Sequence, residues 1–351
     1  MRFIRYAAAA VVSGLVAAGA QAQGWPEQVR FGGFGQGFGK PYGLAVLAIA
    51  QGKGFIADEF KGTPVKLSFE YFTGTGPAIN EAIANKRLDF AQYGSLPNIV
   101  GRANGLPTRI VASYGYTTIF GVARPDLPVR SFKDLKGKRV AVAKGTVLHW
   151  AFLKALEGNG LPLKDVTLLD LATADQLAAL TAGSVDAVIG SSVLLSLRDK
   201  GLAKVFYSSH DIGPKAAGFG AITVTESFEQ RYPEATQRVV RGLVRAAEWL
   251  GHEENREEAL QIWTRSGVPY PALRDEYAGV ALKDVFNPRI DEFFISQYRD
   301  AIAFSREQKL IRSGIDLQQW FLPRYVDQAL DQLGLQRTWP RRDASGKPLE
   351  G

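Results

Sequence analysis

From residue 29 to about residue 208, short apolar runs of strand length alternate with helical patterns, and this alternation restricts the chain to a mainly parallel sheet covered on both faces. Strands are expected over 29–31, 65–72, 88–92, 109–112, 120–123, 139–143, 166–171 and 186–189. Between them the pattern predicts helices over 41–51, 77–85, 97–103, 131–135, 147–157 and 175–182. After the apolar run 221–224 the texture becomes helical. Pro233 sits at a helix start, and Val239, Val240, Leu243, Val244, Ala247 and Leu250 recur at helical spacing. Further helices are expected over 273–280, 291–307 and 317–333, followed by a polar tail from Trp339 that should fray. No internal repeat of fixed period is visible.

Residues 1–22 read as a cleavable secretory signal. Arg2 and Arg5 precede an apolar run over 6–18, and small residues end in Ala20-Gln21-Ala22. The run is too short to span a bilayer, although a membrane anchor or buried helix is the alternative. Cleavage after Ala22 leaves 329 of the 351 residues, enough for two compact domains or one large one. The chain has no cysteine, so an exported form has no disulfides and must rely on large cores. It also has no lipid-modifiable cysteine after the signal, so a freely diffusing periplasmic protein is expected. Formal charge is +7, and removing the two signal arginines leaves +5. That balance either recruits anions or serves solubility. The basic residues are scattered, which argues against a nucleic-acid partner.

Zero Cys excludes thiol catalysis and thiolate metal sites. His149, His210 and His252 are far apart, and the His252 segment lacks the second His of a zinc helix, so no metal is expected. No G-x-S-x-G elbow and no placed carboxylate pair is evident, so no catalytic residue is named and no cofactor is expected. The alternating Gly33, Gly35, Gly37 and Gly39 match neither G-x-G-x-x-G nor a P-loop. They form either a mobile binding loop walled by Phe34 and Phe38 or a flexible turn.

Four places repeat one pattern, in which a strand ends, a Gly with a small hydroxyl residue follows, and a helix begins. They are Thr73-Gly74-Thr75-Gly76-Pro77, Tyr93-Gly94-Ser95-Leu96-Pro97, Lys144-Gly145-Thr146 and Ile189-Gly190-Ser191-Ser192, with Gly35-Gln36-Gly37 as a fifth turn. Helix starts carry unpaired N–H groups and partial positive charge, and glycine allows close approach, so such turns hold anions. In open α/β sheets they gather at the carboxyl ends of the strands. Singly, each is also an ordinary N-cap or turn.

These segments carry a resemblance. Thr75-Gly76-Pro77-Ala78-Ile79-Asn80-Glu81-Ala82 with Leu88-Asp89-Phe90, and Asp134-Leu135-Lys136-Gly137-Lys138-Arg139-Val140-Ala141-Val142 with Lys144-Gly145-Thr146 and His149, are similar to stretches of a known family. Thr173-Ala174-Asp175-Gln176, Gly183-Ser184-Val185-Asp186-Ala187, Tyr232-Pro233-Glu234 and Ile315-Asp316-Leu317-Gln318-Gln319-Trp320 continue the register. The chain resembles the aliphatic sulfonate/taurine/nitrate-type periplasmic solute-binding proteins of ABC importers, a group that includes thiamine-precursor binders.

The resemblance implies an α/β fold, a two-domain periplasmic-binding-protein clamshell (type II) with two hinge crossings and a helical C-terminal part. It places domain I over 23–116 and 219–340, domain II over 117–218 and a flexible tail over 341–351, with hinges near 114–118 and 208–220. Gly35, Gln36, Phe38, Thr75, Gly94, Ser95, Gly145, Thr146, Ser191 and Ser192 are then expected to bind the ligand, with Phe34 and Lys40 shaping the rest. The implied ligand is a small organic anion, an alkyl or aryl sulfonate, delivered to a membrane permease and ATPase by a monomer. Ser95 and Ser191-Ser192-Val193 stand where sulfonate-binding relatives often have an acid and a Trp-Asp-Pro run. Their loss predicts a ligand without a cation, and leaves room for a bulkier one. The rival readings are an enzyme on the same scaffold, desulfinase-like or pyrimidine-synthase-like, and a ligand-sensing module. A desulfinase of that kind needs a nucleophilic cysteine, which this chain lacks.

Overall fold

The computed structural model describes residues 24–349. The signal expected over 1–22 lies outside the described residues. Among the described residues ten strands form two five-stranded sheets. In chain order they are β1 (Gln28–Phe34), β2 (Lys66–Phe72), β3 (Phe90–Gly94), β4 (Thr108–Thr117), β5 (Phe120–Ala123), β6 (Arg139–Val142), β7 (Thr167–Asp170), β8 (Ala187–Gly190), β9 (Lys204–Ser208) and β10 (Gly218–Thr225). The first sheet runs β2-β1-β3-β10-β4 and the second β7-β6-β8-β5-β9. Three strands of each sheet are parallel, β2-β1-β3 and β7-β6-β8. One strand delivered from the other side of the chain crossing, β10 or β5, pairs antiparallel to both its neighbours. Each sheet with its flanking helices forms a lobe.

The two lobes share one construction that no sequence period revealed. Each third parallel strand is preceded by an aspartate, Asp89 or Asp186, that clamps an arginine on the first. Arg30 donates its backbone N–H and Nε to Asp89 Oδ2, both at 2.9 Å. Arg139 does the same to Asp186 Oδ2, at 2.8 and 3.2 Å. Charged, partly bidentate bonds of this kind fix strand register. In the first lobe Phe31 adds an aromatic ladder, stacking on Phe69 at 4.8 Å and on Phe90 at 5.5 Å.

The chain passes between the lobes twice, through Thr118-Ile119 after β4 and through 209–217 before β10. β4 outruns the predicted 109–112 because β10 pairs with it as far as Thr117. Its Gly115 is obligatory: φ is +94°, and a Cβ there would lie 2.0 Å from Val285 O.

The helical C-terminal part packs on the first lobe. Helix Pro233–Leu250 buries Val239, Val240, Leu243, Val244, Ala247 and Leu250, as its spacing predicts, against helices Ala45–Gly52 and Phe55–Glu59. The expected 317–333 helix is two, Leu317–Trp320 and Arg324–Leu333. Pro323 breaks it, and in the gap Leu322 N–H donates to Ile110 O while Phe321 bridges to Ile110, so the break extends the edge of the first sheet. The segment expected to fray is docked instead. Trp339 is buried with its indole N–H on Lys283 O at 2.9 Å, and Arg342 pairs with the buried Asp291 at 2.7 Å. Among the described residues no helix is long and apolar enough to cross a membrane.

Candidate functional site

A cavity of about 90 Å³ lies between the two sheets. From the first lobe it is lined by Phe34 at the end of β1 with Gly35 and Gln36 after it, Thr75 and Gly76 at a helix start, and Tyr93 and Gly94 at the end of β3. From the second lobe come Ala143, Thr146, Val147, Leu148, Thr173 and Ser191. These are the carboxyl ends of parallel strands and the helix starts that follow, where α/β sheets gather ligand groups. Helices Thr75–Ala84, Val147–Gly158 and Thr173–Thr181 begin at the wall. Two of the four non-glycine residues with positive φ among the described residues, Ala45 (+60°) and Thr75 (+53°), also line it. Each opens a helix, and strain of this kind concentrates where the backbone is positioned for a ligand.

Of the ten residues expected to bind, Gly35, Gln36, Thr75, Gly94, Thr146 and Ser191 line this cavity, as does Phe34. Ser95 and Ser192 lie just behind the wall, essentially fully buried, and neither Oγ has a hydrogen-bond partner among the described residues. Phe38 points elsewhere: it packs on the second lobe's apolar cluster around Leu180 and Val188, and beside Gly267. Thr146 is also an N-cap, its Oγ1 donating to Ala143 O at 2.7 Å and accepting from His149 N–H at 3.4 Å. Burial, reinforced by the Lys144 charge, holds the His149 imidazole below its usual range.

The turn glycines serve a purpose that sequence reasoning assigned to the ligand. A Cβ on Gly94 would lie 2.8 Å from Val147 Cβ, and one on Gly145, at φ +73°, 3.1 Å from Pro77 Cγ. Both contacts cross from one lobe to the other. The bare backbones let the lobes meet, so the structure is the closed form of the cleft.

Electrostatics hold a surprise. None of the lining residues is Lys or Arg, so positive potential on the wall comes from helix N–H groups alone. The one carboxyl among the lining residues is that of Glu276, 3 % exposed at the end of helix Tyr270–Glu276. It comes from a different element than Ser95 and Ser191-Ser192, the positions where a carboxylate was expected to be missing. Burial pushes its carboxyl up, opposed by the Ser192 and Thr117 hydroxyls and the Thr118 amide. Thr117 Oγ1 donates to Glu276 Oε1 at 3.2 Å. Around the acid stand Tyr114, Tyr116, Tyr277 and Phe286, none of them expected as ligand contacts. Two signals were present. Tyr114 and Tyr116 share one face of a strand, and Glu276 falls in the apolar stripe of Ala272 and Leu273, where a charge needs a reason.

Comparison with known proteins agrees with this architecture. A Bacillus subtilis (strain 168) protein, provisionally named an aliphatic sulfonates-binding protein, is 27% identical over 294 residues, 82% of this chain and 86% of its own length. The taurine-binding periplasmic protein of Escherichia coli (strain K12) is 24% identical over 208 residues, 56% of this chain and 62% of its own. A crystal structure from Methylobacillus flagellatus KT, provisionally a periplasmic sulfonate-binding protein SsuA, superposes with a TM-score of 0.79 at 27% identity, covering 90% of this chain and 97% of that one. These are the periplasmic-binding-protein clamshell expected from the sequence. The model of the family described as NMT1/THI5 like matches residues 43–256, well over half of the chain, and the chain belongs to that family.

Proposed function

We propose that this protein is the periplasmic solute-binding component of an ABC importer and that it holds an organic sulfonate in the interlobe cavity for delivery to a permease and ATPase. The observation that carries the reading is the convergence of helix starts from both lobes on one interlobe cavity whose wall has no basic side chain. A tetrahedral anion with several acceptor oxygens suits such a wall, because N–H and O–H donors satisfy it without a buried counter-ion. The sulfonate-binding relatives that span most of the chain support the same ligand class. Gly35, Gln36, Thr75, Gly94, Thr146 and Ser191 are the proposed contacts to the anionic group, with Ser95, Gly145 and Ser192 held ready behind them.

Domain I is proposed over 23–116 and 219–340 and domain II over 117–218, limits one residue from the end of β4 at Thr117 and the start of β10 at Gly218. Export with cleavage after Ala22 is part of the same proposal. Isothermal calorimetry of the purified mature chain tests the ligand class. Micromolar or tighter binding of an alkyl or aryl sulfonate, with no binding of nitrate or a free pyrimidine, is expected. Absence of binding to every sulfonate offered overturns the reading.

A further inference from the structure

The chain between β1 and helix Ala45–Gly52 starts on the cavity wall and does not stay there. Gly35 and Gln36 line the wall of the first lobe. The next residues cross to the second lobe. A Cβ on Gly37 would lie 3.6 Å from Ala174 Cβ, next to Thr173 on the opposite wall. Phe38 then packs on the second lobe's apolar cluster, which includes Leu180 and Leu194. On its other side a Cβ on Gly267 would lie 2.9 Å from Phe38 Cβ, so the bare glycine leaves the space in which Phe38 is seated. Segment 36–40 therefore bridges the cleft from one wall to the other.

Helix Tyr270–Glu276 begins just after Gly267 and ends at Glu276, which bonds Thr117 beside the Thr118-Ile119 crossing. The bridge is thus about 10 Å from the hinge, one length of that helix, where opening separates the lobes further than at the crossing itself. Little else holds it. Gly37 (φ +80°) and Gly39 (φ +66°) flank Phe38 in the left-handed region and give a swivel on each side of the ring. Among the described residues, 36–39 make no backbone–backbone hydrogen bond. What fastens the segment is the apolar packing of one side chain, and that packing exists only while the lobes are shut.

We propose that residues 36–40 are a strap over the cleft, that Phe38 fastens it to the second lobe, and that unfastening sets the rate at which a bound molecule leaves. Gly35 and Gln36 root the strap in the cavity wall, so an occupant held there favours the fastened state. The alternating glycines are then neither a ligand wall at Phe38 nor an idle turn. The strap needs an occupant but no particular one, and it stands independently of the sulfonate reading.

The absence of native cysteine makes the test direct. Gly37→Cys combined with Ala174→Cys sets two thiols at the Cβ separation of about 3.5–4.5 Å that a disulfide takes. In the ligand-free mature protein, oxidised glutathione is expected to cross-link this pair, and adding Phe38→Ala should slow the cross-link roughly fivefold or more. No cross-link, or the same rate without the ring, overturns the strap. The second readout is stopped-flow kinetics with pentane-1-sulfonate. Phe38→Ala should raise its dissociation rate roughly fivefold or more and leave association within about twofold, and Phe38→Leu should restore most of the loss. Cross-linking the loaded protein should slow release by about tenfold or more, reversed by reduction. Release from the cross-linked protein at the reduced protein's rate, or an unchanged dissociation rate in Phe38→Ala, also overturns the strap. If pentane-1-sulfonate and every other sulfonate fail to bind, the sulfonate reading falls and the cross-linking rates alone decide the strap.

Discussion

Single atoms decide whether this cleft closes. Gly94 shows how sharply: its missing Cβ is the space that Val147 of the other lobe occupies, 2.8 Å from where that carbon would be. Gly94→Val is expected to hold the lobes apart and weaken ligand binding at least tenfold. The melting temperature of the free protein should change little, since an open cleft accommodates the side chain. Parallel calorimetry and thermal unfolding check this. Gly94 was visible in the sequence as a turn residue, but its partner was not, because Val147 lies 53 residues away across the cleft. Glu276 was missed for a related reason. It looks like one more acid on a helix, and only tertiary packing shows that it faces a cavity and not water.

At the scale of strands and helices, the Arg–Asp clamps carry the most testable energy. Asp186 accepts from the Arg139 backbone N–H and guanidinium, and these bonds hold its carboxyl below the usual range. Asp186→Asn should destabilise the fold by about 1.5–3 kcal/mol, the usual worth of bonds to a charged partner. A depressed folded pKa means that the stabilisation is fully present above the unfolded value of about 4 and is lost as pH falls through the folded one. Chemical denaturation at neutral pH and between about pH 4 and 2 should therefore show wild type and variant converging in acid. Elements themselves were largely legible. The strand and helix alternation appears where the periodicity put it, as in Arg139–Val142 and Val147–Gly158. The failures were those of tertiary override. β4 extends because β10 covers it, and the last long helix breaks at Pro323, where Phe321 and Leu322 pair with the open edge at Ile110.

For the whole molecule the question is what keeps two lobes together. Besides the glycine contacts, Arg198 of the second lobe reaches Asp275 at 2.5 Å, one residue before the buried Glu276. Asp275 and Glu276 thus place a lobe-to-lobe ion pair and a buried cavity-lining acid on the same helix end. Arg198→Ala is expected to shift the ligand-free protein towards the open form and to weaken ligand binding two- to fivefold. Small-angle scattering should then show a larger radius of gyration for the free variant than for free wild type, and the same radius for both when saturated with ligand. The clamshell itself was readable from motif order along the chain, whereas its closed state was not, since closure is a relation between surfaces that no local pattern encodes.

The crossing at Thr118-Ile119 is only two residues long and is flanked by paired strands on either side. So short a tether permits little sliding or twisting, and leaves essentially a single swivel for one half of the molecule against the other. Whatever fills the crevice is therefore announced through the protein's outline, which changes as one half swings against the other.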